Sequence, residues 1–367
     1  MNNSKRIVLI LGNGFDLDLG LRTSYKDFWN SPYCPKNYPA PLISHLNSKW
    51  CNSLEAVKWY DLENELLNYY TENASRAHWA DVLSEEEMDF IRKFDSYRHT
   101  CRQYDDKIDL INGLIQKGFI KETNPYLHTL EIPYKNDYNL SIRDRDYNAF
   151  LMIKQGLCDY LKSVAEQDGN KHSVALSVIY TVSEAAESGN TVSIYNFNYT
   201  TLPYPYCDFE NLFYIHGRCK DENIIVGTKD YKEFSADYDF FQKSFDPNFQ
   251  TPPVVSDLLH ADEVVFFGHS LGMNDSQYLR PFFAQQTNIE HLVKKNITIF
   301  TRNAKSTLEI KRSLQQLTDY SFSLLNSLNH FRIIETEGIN TNYKEYKAFL
   351  HRFLDDDNKV KAQLRNL

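Results

Sequence analysis

The chain has 367 residues, of which 42% are apolar, which is enough to bury a core as one large α/β unit or two smaller ones. Its formal net charge is −9, and no run of Lys and Arg is longer than a pair such as Lys294-Lys295. Because such a chain repels polyanions at long range, nucleic acid and membrane surfaces are not expected as partners.

The N-terminus and the cysteine and histidine spacing predict a cytoplasmic protein without a metal site. The first six residues are polar and lead into an apolar run of five, which is too short for the core of a signal peptide. The six cysteines form no C-x-x-C pair, which favours reduced thiols. The histidines show no H-x-x-x-H or carboxylate-rich spacing, so no metal is predicted.

The first predicted element is a buried parallel strand, IVLIL at residues 7–11, which ends at a glycine-rich segment. Over residues 54–185 the apolar spacing is mostly helical, with steps of 3, 4 and 3 positions between Trp59 and Tyr69. Two serines open capping boxes at predicted helix starts, Ser24 and Ser84. These patterns predict a large helical insertion after the first strand.

Short strand-like runs return after residue 191 and alternate with helical segments. The predicted strands are VSIYN (192–196), LFYI (212–215), NIIV (223–226), EVVFF (263–267) and NITIF (296–300). The predicted helices cover residues 278–286, 306–317 and 342–354, and the second opens with a capping box at Ser306. Such alternation predicts an α/β fold, a Rossmann-like parallel sheet with helices on both faces. We assign residues 1–53 and 186–367 to a Rossmann-like nucleotide-binding domain and residues 54–185 to a helical lid or regulatory subdomain.

The carboxyl ends of the predicted strands carry the residues that point to a ligand, because open α/β sheets bind ligands just beyond those ends. These ends read GNGFD, FNYT, HG, GT, GHSLG and TRN. Seven of the 13 glycines lie in or beside them, which predicts backbone brought close to one shared ligand.

The segment GNGFD follows the first strand as a dinucleotide-binding loop would, but the third glycine of G-x-G-x-x-G is absent. Its residues are candidate nucleotide contacts: Gly12, Asn13, Gly14, Phe15 and Asp16. A carboxylate repels a pyrophosphate and accepts hydrogen bonds from hydroxyls, so we place the loop near a ribose or base. The alternative is a tight turn in which an aspartate caps a helix.

Asn198 and His216 are the candidate catalytic pair, since each follows an apolar run directly. An amide can orient a water or a ribose hydroxyl, and an imidazole can take a proton near neutral pH. Either residue alone could be structural, as is a buried histidine bonded to a backbone carbonyl. Their placement on two adjacent strand ends favours catalysis.

Glu63 lies on the first inserted helix, on the same face as Trp59 and Leu66. This spacing aims a carboxylate along an apolar stripe and predicts a supporting role behind the site. The alternative is a glutamate at the solvated rim of that stripe.

The motif GHSLG at residues 268–272 has two interpretations. It fits the G-x-S-x-G spacing of a serine nucleophile, which would make Ser270 the nucleophile of an esterase. It equally suits a nucleotide-binding loop, in which Gly268, His269, Ser270 and Asp275 contact the ligand.

Three features make the esterase the weaker interpretation. Asn274-Asp275 is typical of the cap of a helix that starts several residues after the serine, whereas a hydrolase helix begins at its nucleophile. The triad could be completed only by residues such as Asp319 and His330, and His330 precedes the apolar run FRII instead of ending a strand. No HGGG-type oxyanion motif occurs upstream.

Together these motifs resemble the AbiH-like bacteriophage abortive-infection family. The matching segments span most of the chain in order: ILGNGFDLDLGLRTSYKDF (10–28), WYDLENEL (59–66), YNFNYTTL (195–202), YIHG (214–217), VGT (226–228) and VVFFGHSLGMND (264–275). The resemblance implies a role in antiphage defence.

The same order of motifs is similar, more remotely, to sirtuin-like NAD hydrolases. That resemblance implies NAD as substrate, with Asn198 and His216 as the catalytic pair. It implies nucleotide contacts from Gly12, Asn13, Gly14, Gly268, Ser270 and Asp275. The chain departs from that pattern at Thr200, where those hydrolases usually carry Asp, and it lacks the zinc-binding cysteines of deacylating sirtuins, so protein deacylation is not expected.

The leading hypothesis is a cytoplasmic enzyme that hydrolyses the nicotinamide–ribose bond of NAD during phage infection. Such a toxic activity has to be held inactive, which predicts a homo-oligomer or a phage-derived trigger acting through the insertion. The alternatives are the esterase and a non-catalytic nucleotide sensor or partner-binding module that uses the same crevice.

Overall fold

A six-stranded parallel sheet forms the centre of the computed structural model, which describes residues 4–50, 61–77, 142–165, 173–231, 234, 236–291, 293–354 and 356–365. The strands are β1 (Arg6–Leu11), β2 (Thr191–Asn196), β3 (Leu212–Tyr214), β4 (Glu263–Phe267), β5 (Asn296–Thr301) and β6 (His330–Glu335). Their order, β3-β2-β1-β4-β5-β6, is that of a Rossmann fold. The predicted fold class is confirmed.

Strand β1 shows why the sheet is covered on both faces. Successive side chains of a strand point to opposite faces. Ile7, Leu9 and Leu11 accordingly lie in one hydrophobic core, and Val8 and Ile10 lie in the other. An uninterrupted apolar run therefore becomes a central strand buried on both sides.

The helices form a layer on each face of the sheet. Those described before β2 are α1 (Asn13–Asp18), α2 (Tyr25–Trp29), α3 (Pro41–Trp50), α4 (Leu62–Ala77), α5 (Ile142–Ala165) and α6 (Val174–Glu187). Those described after β3 are α7 (Val254–His260), α8 (Ser276–Gln286), α9 (Ala304–Leu317), α10 (Phe322–Leu328), α11 (Tyr343–Phe353) and α12 (Asp357–Arg365). Helices α6, α11 and α12 pack on one face, and α7 to α10 pack on the other.

Helices α3, α4 and α5 build a third core beside the sheet, which we call the helical core. The segment 219–241 after β3 contributes Cys219, Val226, Phe234 and Phe241 to it. The domain boundaries predicted from sequence stay a prediction, and the packing of two helices can be compared with them. Helix α6, assigned to the insertion, packs on the sheet, and α3, assigned to the nucleotide-binding domain, packs in the helical core.

Several local predictions can be compared with the described residues. Ser24 caps α2 as predicted, because its side chain accepts a hydrogen bond from the Asp27 backbone N–H at 3.1 Å. The predicted strand at 223–226 is wrong, since this segment forms no ladder and bonds to the loop after β3. Helix α12, which follows α11, was not predicted from the sequence. Trp59 and the capping box at Ser84 lie outside the described residues.

Within the described ranges, every helix is too short or too polar to span a lipid bilayer.

Candidate functional site

All six parallel strands end at one edge of the sheet, and the candidate site lies there. Strand β1 pairs with β2 on one side and with β4 on the other. The strands that follow β1 are therefore added first on one side of it and then, from β4 onwards, on the other side, which makes the gap between β1 and β4 the topological switch point. Ligands of Rossmann folds bind outside this switch point. The predicted segments GNGFD and GHSLG follow β1 and β4 directly and therefore flank it.

The glycines of these two segments contact each other. The Gly14 backbone N–H donates to the Gly268 carbonyl at 2.9 Å, and a Cβ on Gly14 would lie 2.5 Å from Gly268 Cα. Gly268 has φ of +63°, a left-handed conformation that favours glycine. The requirement for glycine here is thus explained by close packing of the two loops on one another. The predicted role of these glycines in binding a nucleotide stays a prediction.

Phe15 was predicted to contact the ligand, and this contact stays a prediction. Its side chain is fully buried in the core and packs edge-on against Phe267, with ring centroids 5.8 Å apart. The turn after β1 continues at once into α1, which directs Phe15 under the sheet edge and not across it.

The first polar cluster of the site joins Asp16 to the segment after β2. Asn198 donates through Nδ2 to the Gly12 carbonyl at 3.1 Å and to Asp16 Oδ1 at 3.2 Å. Thr200 donates through Oγ1 to Asp16 Oδ2 at 2.7 Å. Burial raises the pKa of Asp16 to about 7, although the bonds from Thr200 and Asn198 act against this rise. Asp16 is thus a carboxyl group that can exchange a proton near neutral pH.

The second polar cluster centres on Lys243, which is 1% exposed. Its Nζ lies 2.9 Å from Glu63 Oε1, 3.2 Å from Asp275 Oδ1 and 3.2 Å from His216 Nε2. Burial works against the charge of Lys243, but Asp275 and Glu63 outweigh it and raise the pKa of the ammonium. Lys243 is therefore a fixed positive charge inside the site.

The carboxylate of Asp275 contacts both histidines of the site. Its Oδ1 lies 3.2 Å from His216 Nε2, and its Oδ2 lies 3.5 Å from His269 Nε2. The predicted role of Asp275 as a helix cap is only partly right. It occupies the N-cap position of α8, but its side chain makes no capping bond and turns to Lys243 and the histidines. Burial opposes its charge, yet Lys243 and His216 keep the pKa of Asp275 well below its usual value.

The two histidines differ in what surrounds their rings. Burial, and after it the charge of Lys243, lowers the pKa of His216, so the ring is neutral at neutral pH. His269 Nδ1 accepts a hydrogen bond from the Leu271 N–H at 3.0 Å, which leaves the proton of a neutral ring on Nε2, facing Asp275. Leu271 adopts a φ of +54° at this point, a conformation that a leucine rarely takes.

Glu63 comes to the site from the helical core, and the interpretation as a solvated rim residue is not what the structure shows. Burial raises the pKa of Glu63 to about 7 against the effect of Lys243, and Asp275 adds to the rise. Asp61 accepts from the Asn64 N–H at 2.9 Å and so caps α4, which places Glu63 in the first turn of that helix. Two carboxylates thus share one ammonium, and Glu63 is the one that can carry a proton.

Ser270 does not have the surroundings of a hydrolase nucleophile. Its side chain is exposed, and its Oγ accepts a bond from the Gly272 N–H at 3.3 Å. His330 begins β6 and so lies at the opposite edge of the sheet, about 15 Å away along a strand. Asp319 pairs with Arg280, away from Ser270. No described histidine bonds Ser270, so the geometry does not favour an esterase.

Lys243 is the residue that sequence reasoning missed. It begins a short 3₁₀ helix, Lys243–Phe245, where no spacing or flanking motif marks it. The sequence feature that could have pointed to this lysine is the glycine of VGT (226–228). Gly227 has φ of +144°, and a Cβ there would lie 2.4 Å from the Phe241 carbonyl. Thr228 then accepts at its carbonyl from the Lys243 N–H at 2.9 Å. These contacts bring the lysine against the end of β3.

Two other features of the molecule lie apart from these clusters. Among the described residues, no group of three or more histidines, cysteines, aspartates or glutamates is arranged to hold a metal. A cavity of about 460 Å³ lies at the carboxyl end of α8, between Thr287 and Asp319. It is shallow and lies at the opposite edge of the sheet, so we place the chemistry at the buried polar clusters.

Fold and site together define a Rossmann-like α/β protein with buried acid–base groups at the carboxyl edge of its sheet. The chain matches the family described as bacteriophage abortive infection AbiH over residues 8–295, and it belongs to that family. Its role is therefore in abortive infection, and the resemblance of its sequence to the AbiH family is confirmed. No curated protein and no solved structure matches the chain.

Proposed function

We propose that this AbiH protein acts in abortive infection by hydrolysing the nicotinamide–ribose bond of NAD. The observation that carries the proposal is the position of Asn198 and His216. They follow the adjacent strands β2 and β3, next to the switch point between β1 and β4. A nucleotide bound in that crevice would present its ribose to an amide, an imidazole and several carboxyl groups.

The proposed reaction is a water displacement at the ribose C1′. The bond from C1′ to the pyridine nitrogen breaks, and its electron pair leaves with neutral nicotinamide. Water adds its oxygen to C1′, and its proton passes to His216, which acts as general base. Asn198 orients the water, and carboxylates such as Asp275 stabilise the positive charge that develops on the ribose in the transition state. The products are nicotinamide and ADP-ribose.

The departure at Thr200 is consistent with this proposal. The sirtuin-like hydrolases usually carry a carboxylate at this position, and here Thr200 donates to the carboxyl group of Asp16 at 2.7 Å. A carboxyl group therefore remains at this point of the site, although another strand end supplies it.

We place the control of the activity on the helical core. Glu63 of α4 contacts Lys243, which in turn contacts His216, so a displacement of α4 reaches the proposed base through two contacts. A phage-derived trigger or a second copy of the chain that binds the insertion would act along this route.

The test is nicotinamide release from NAD by the purified protein and in phage-infected cells. Wherever the wild-type protein releases nicotinamide, purified or in infected cells, we expect Asn198→Ala and His216→Ala each to lower the rate by about 100-fold or more, because each removes a group that orients or accepts in the transition state. Ser270→Ala removes the nucleophile of the alternative esterase and no group that reacts in the proposed step, so we expect it to raise the KM for NAD and to leave kcat unchanged.

A nitrophenyl ester assay runs beside it. Ester cleavage that is lost only in Ser270→Ala would refute the glycosidic reaction. Nucleotide binding without turnover, in purified protein and infected cells alike, would identify a sensor instead.

A further inference from the structure

The hydrogen bonds of Lys243 determine where the proton of His216 lies. An ammonium group has three N–H donors and no acceptor. Three acceptor positions surround Nζ: Glu63 Oε1 at 2.9 Å, Asp275 Oδ1 at 3.2 Å and His216 Nε2 at 3.2 Å. Since Lys243 is 1% exposed, no bulk water replaces a missing partner. All three donors are satisfied only when His216 Nε2 accepts.

A ring nitrogen that accepts carries no hydrogen, so the proton of neutral His216 lies on Nδ1. Among the described residues, no group makes a hydrogen bond to Nδ1. The other tautomer would turn an Nε2–H towards the Nζ of Lys243 and leave one ammonium donor without an acceptor. Asp275 Oδ1 lies 3.2 Å from the same Nε2 and is the partner that would accept from it in that other state.

We propose that Lys243 is a positioning residue that holds His216 as the neutral Nδ1–H tautomer. In this form neither ring nitrogen has a lone pair free to take a proton from water, and the site is at rest. When Lys243 leaves Nε2, the ring proton moves from Nδ1 to Nε2. The Nε2–H then donates a hydrogen bond to Asp275 Oδ1, the proton stays on the ring, and Nδ1 presents its lone pair. The link to catalysis rests on the proposed function, whereas the tautomer does not.

The groups that face His216 change its pKa in opposite directions. They come from Lys243 in the 3₁₀ helix, from Asp275 before α8 and from His269 in the loop after β4; Glu63 acts through Lys243. Burial and Lys243 lower the pKa of His216, and Asp275 alone among these groups raises it. Removing Lys243 therefore removes a charge that lowers the pKa of His216 and leaves Asp275, which raises it, so we expect the pKa of the His216 ring to rise.

The first test is the tautomer of His216 in the wild-type protein. Ring-nitrogen NMR shifts of ¹⁵N-histidine-labelled protein distinguish Nδ1–H, Nε2–H and the doubly protonated ring, and loss of one signal in His216→Gln assigns it. We expect the Nδ1–H form at neutral pH. An Nε2–H or charged ring would overturn the proposal without any variant at Lys243.

The second test removes the lysine in a form that can fold. Lys243→Met alone leaves two buried carboxyl groups without a counter-charge, so it is combined with Glu63→Gln to keep the net charge of the cluster. In the double variant we expect His216 to change to the Nε2–H tautomer and its pKa to rise. The single variant Glu63→Gln keeps Lys243 and should keep the Nδ1–H form.

Lys295→Met is the matched control for loss of a buried lysine. Lys295 is 3% exposed and donates to the Ala261 carbonyl at the opposite edge of the sheet. This change should leave the His216 signal unaltered. An unchanged tautomer in Lys243→Met/Glu63→Gln, or an equal change in Lys295→Met, would overturn the proposal.

Activity separates this proposal from the proposed function. If both hold, Lys243→Met/Glu63→Gln releases nicotinamide about 10-fold faster than Glu63→Gln, a part of the roughly 100-fold that a general base supplies. A tautomer change without faster release supports the role of Lys243 and refutes His216 as the base. Faster release without a tautomer change overturns the role of Lys243.

Discussion

Asp16 shows how burial sets the protonation of a single side chain in this site. The pKa of its carboxyl group is 3.8 in the unfolded chain and about 7 in the folded protein. The folded state therefore keeps a proton that the unfolded state has lost, between pH 4 and pH 7. The stability that Asp16 contributes is present below about pH 4 and is lost as the pH rises through about 7.

We expect Asp16→Asn to remove this part of the pH dependence of stability. The difference between the two pKa values corresponds to about 4 kcal/mol of unfolding free energy. Urea unfolding of both proteins at several pH values between 4 and 8 measures it. The difference curve, wild type minus variant, should fall with pH, since all other groups titrate in both proteins. Parallel curves would mean that Asp16 is already ionised at low pH.

At the scale of elements, the start of helix α9 depends on one residue before it. Asn303 accepts from the Ser306 N–H at 3.2 Å through its side chain, so it is the N-cap of the helix. The sequence also offered Ser306 with a glutamate three residues later, which is the pattern of a capping box. The two candidate caps lie three residues apart. Only two residues separate the end of β5 at Thr301 from the start of α9 at Ala304, so the helix begins directly after Asn303 and Asn303 is its cap.

Asn303→Ala should therefore lower the free energy of unfolding by about 1 kcal/mol, the usual cost of losing an N-cap. Ser306→Ala is the matched control within the same turn and should change it by less than about 0.5 kcal/mol. Chemical denaturation of both variants provides the measurement. Equal losses would place the cap at Ser306.

At the scale of the whole molecule, the site joins the sheet to the helical core. Glu63 belongs to α4, Lys243 to the segment after β3 and Asp275 to the loop before α8. The contact between these charges is buried, and a buried ion pair costs far more to break than an exposed one. Movements of the helical core and the state of the site are therefore coupled.

We expect Glu63→Gln to weaken this coupling and to cost about 1–3 kcal/mol, because it removes one charged partner of a buried ammonium. Amide hydrogen exchange should increase in α4 more than in the strands. Glu72→Gln on the same helix, where the glutamate pairs with Lys49 at 3.0 Å and is half exposed, is the control and should cost less than about 1 kcal/mol. Equal exchange in the two variants would show that Glu63 does not couple the units.

Much of the fold and part of the candidate site were predicted from patterns along the chain. The apolar runs at β1, β2, β4 and β5 predicted the parallel sheet, since strands buried on both faces need apolar residues at every position. The order of motifs placed Asn198 and His216 on adjacent strand ends and identified the family. Glu63 was singled out because helical spacing aims its carboxylate along a buried stripe.

Tertiary structure alone decided which groups of the site meet. Lys243 lies in a loop without periodicity, and its role depends on the close approach that Gly227 permits. Asp275 occupies a cap position, yet nearby charges attract its carboxylate more strongly than the helix does. Local spacing encodes the element that a residue joins. The long-range contacts that set a proton's position depend on burial and on charges more than 150 positions apart in the chain, as with Glu63 and Lys243, and no local pattern records them.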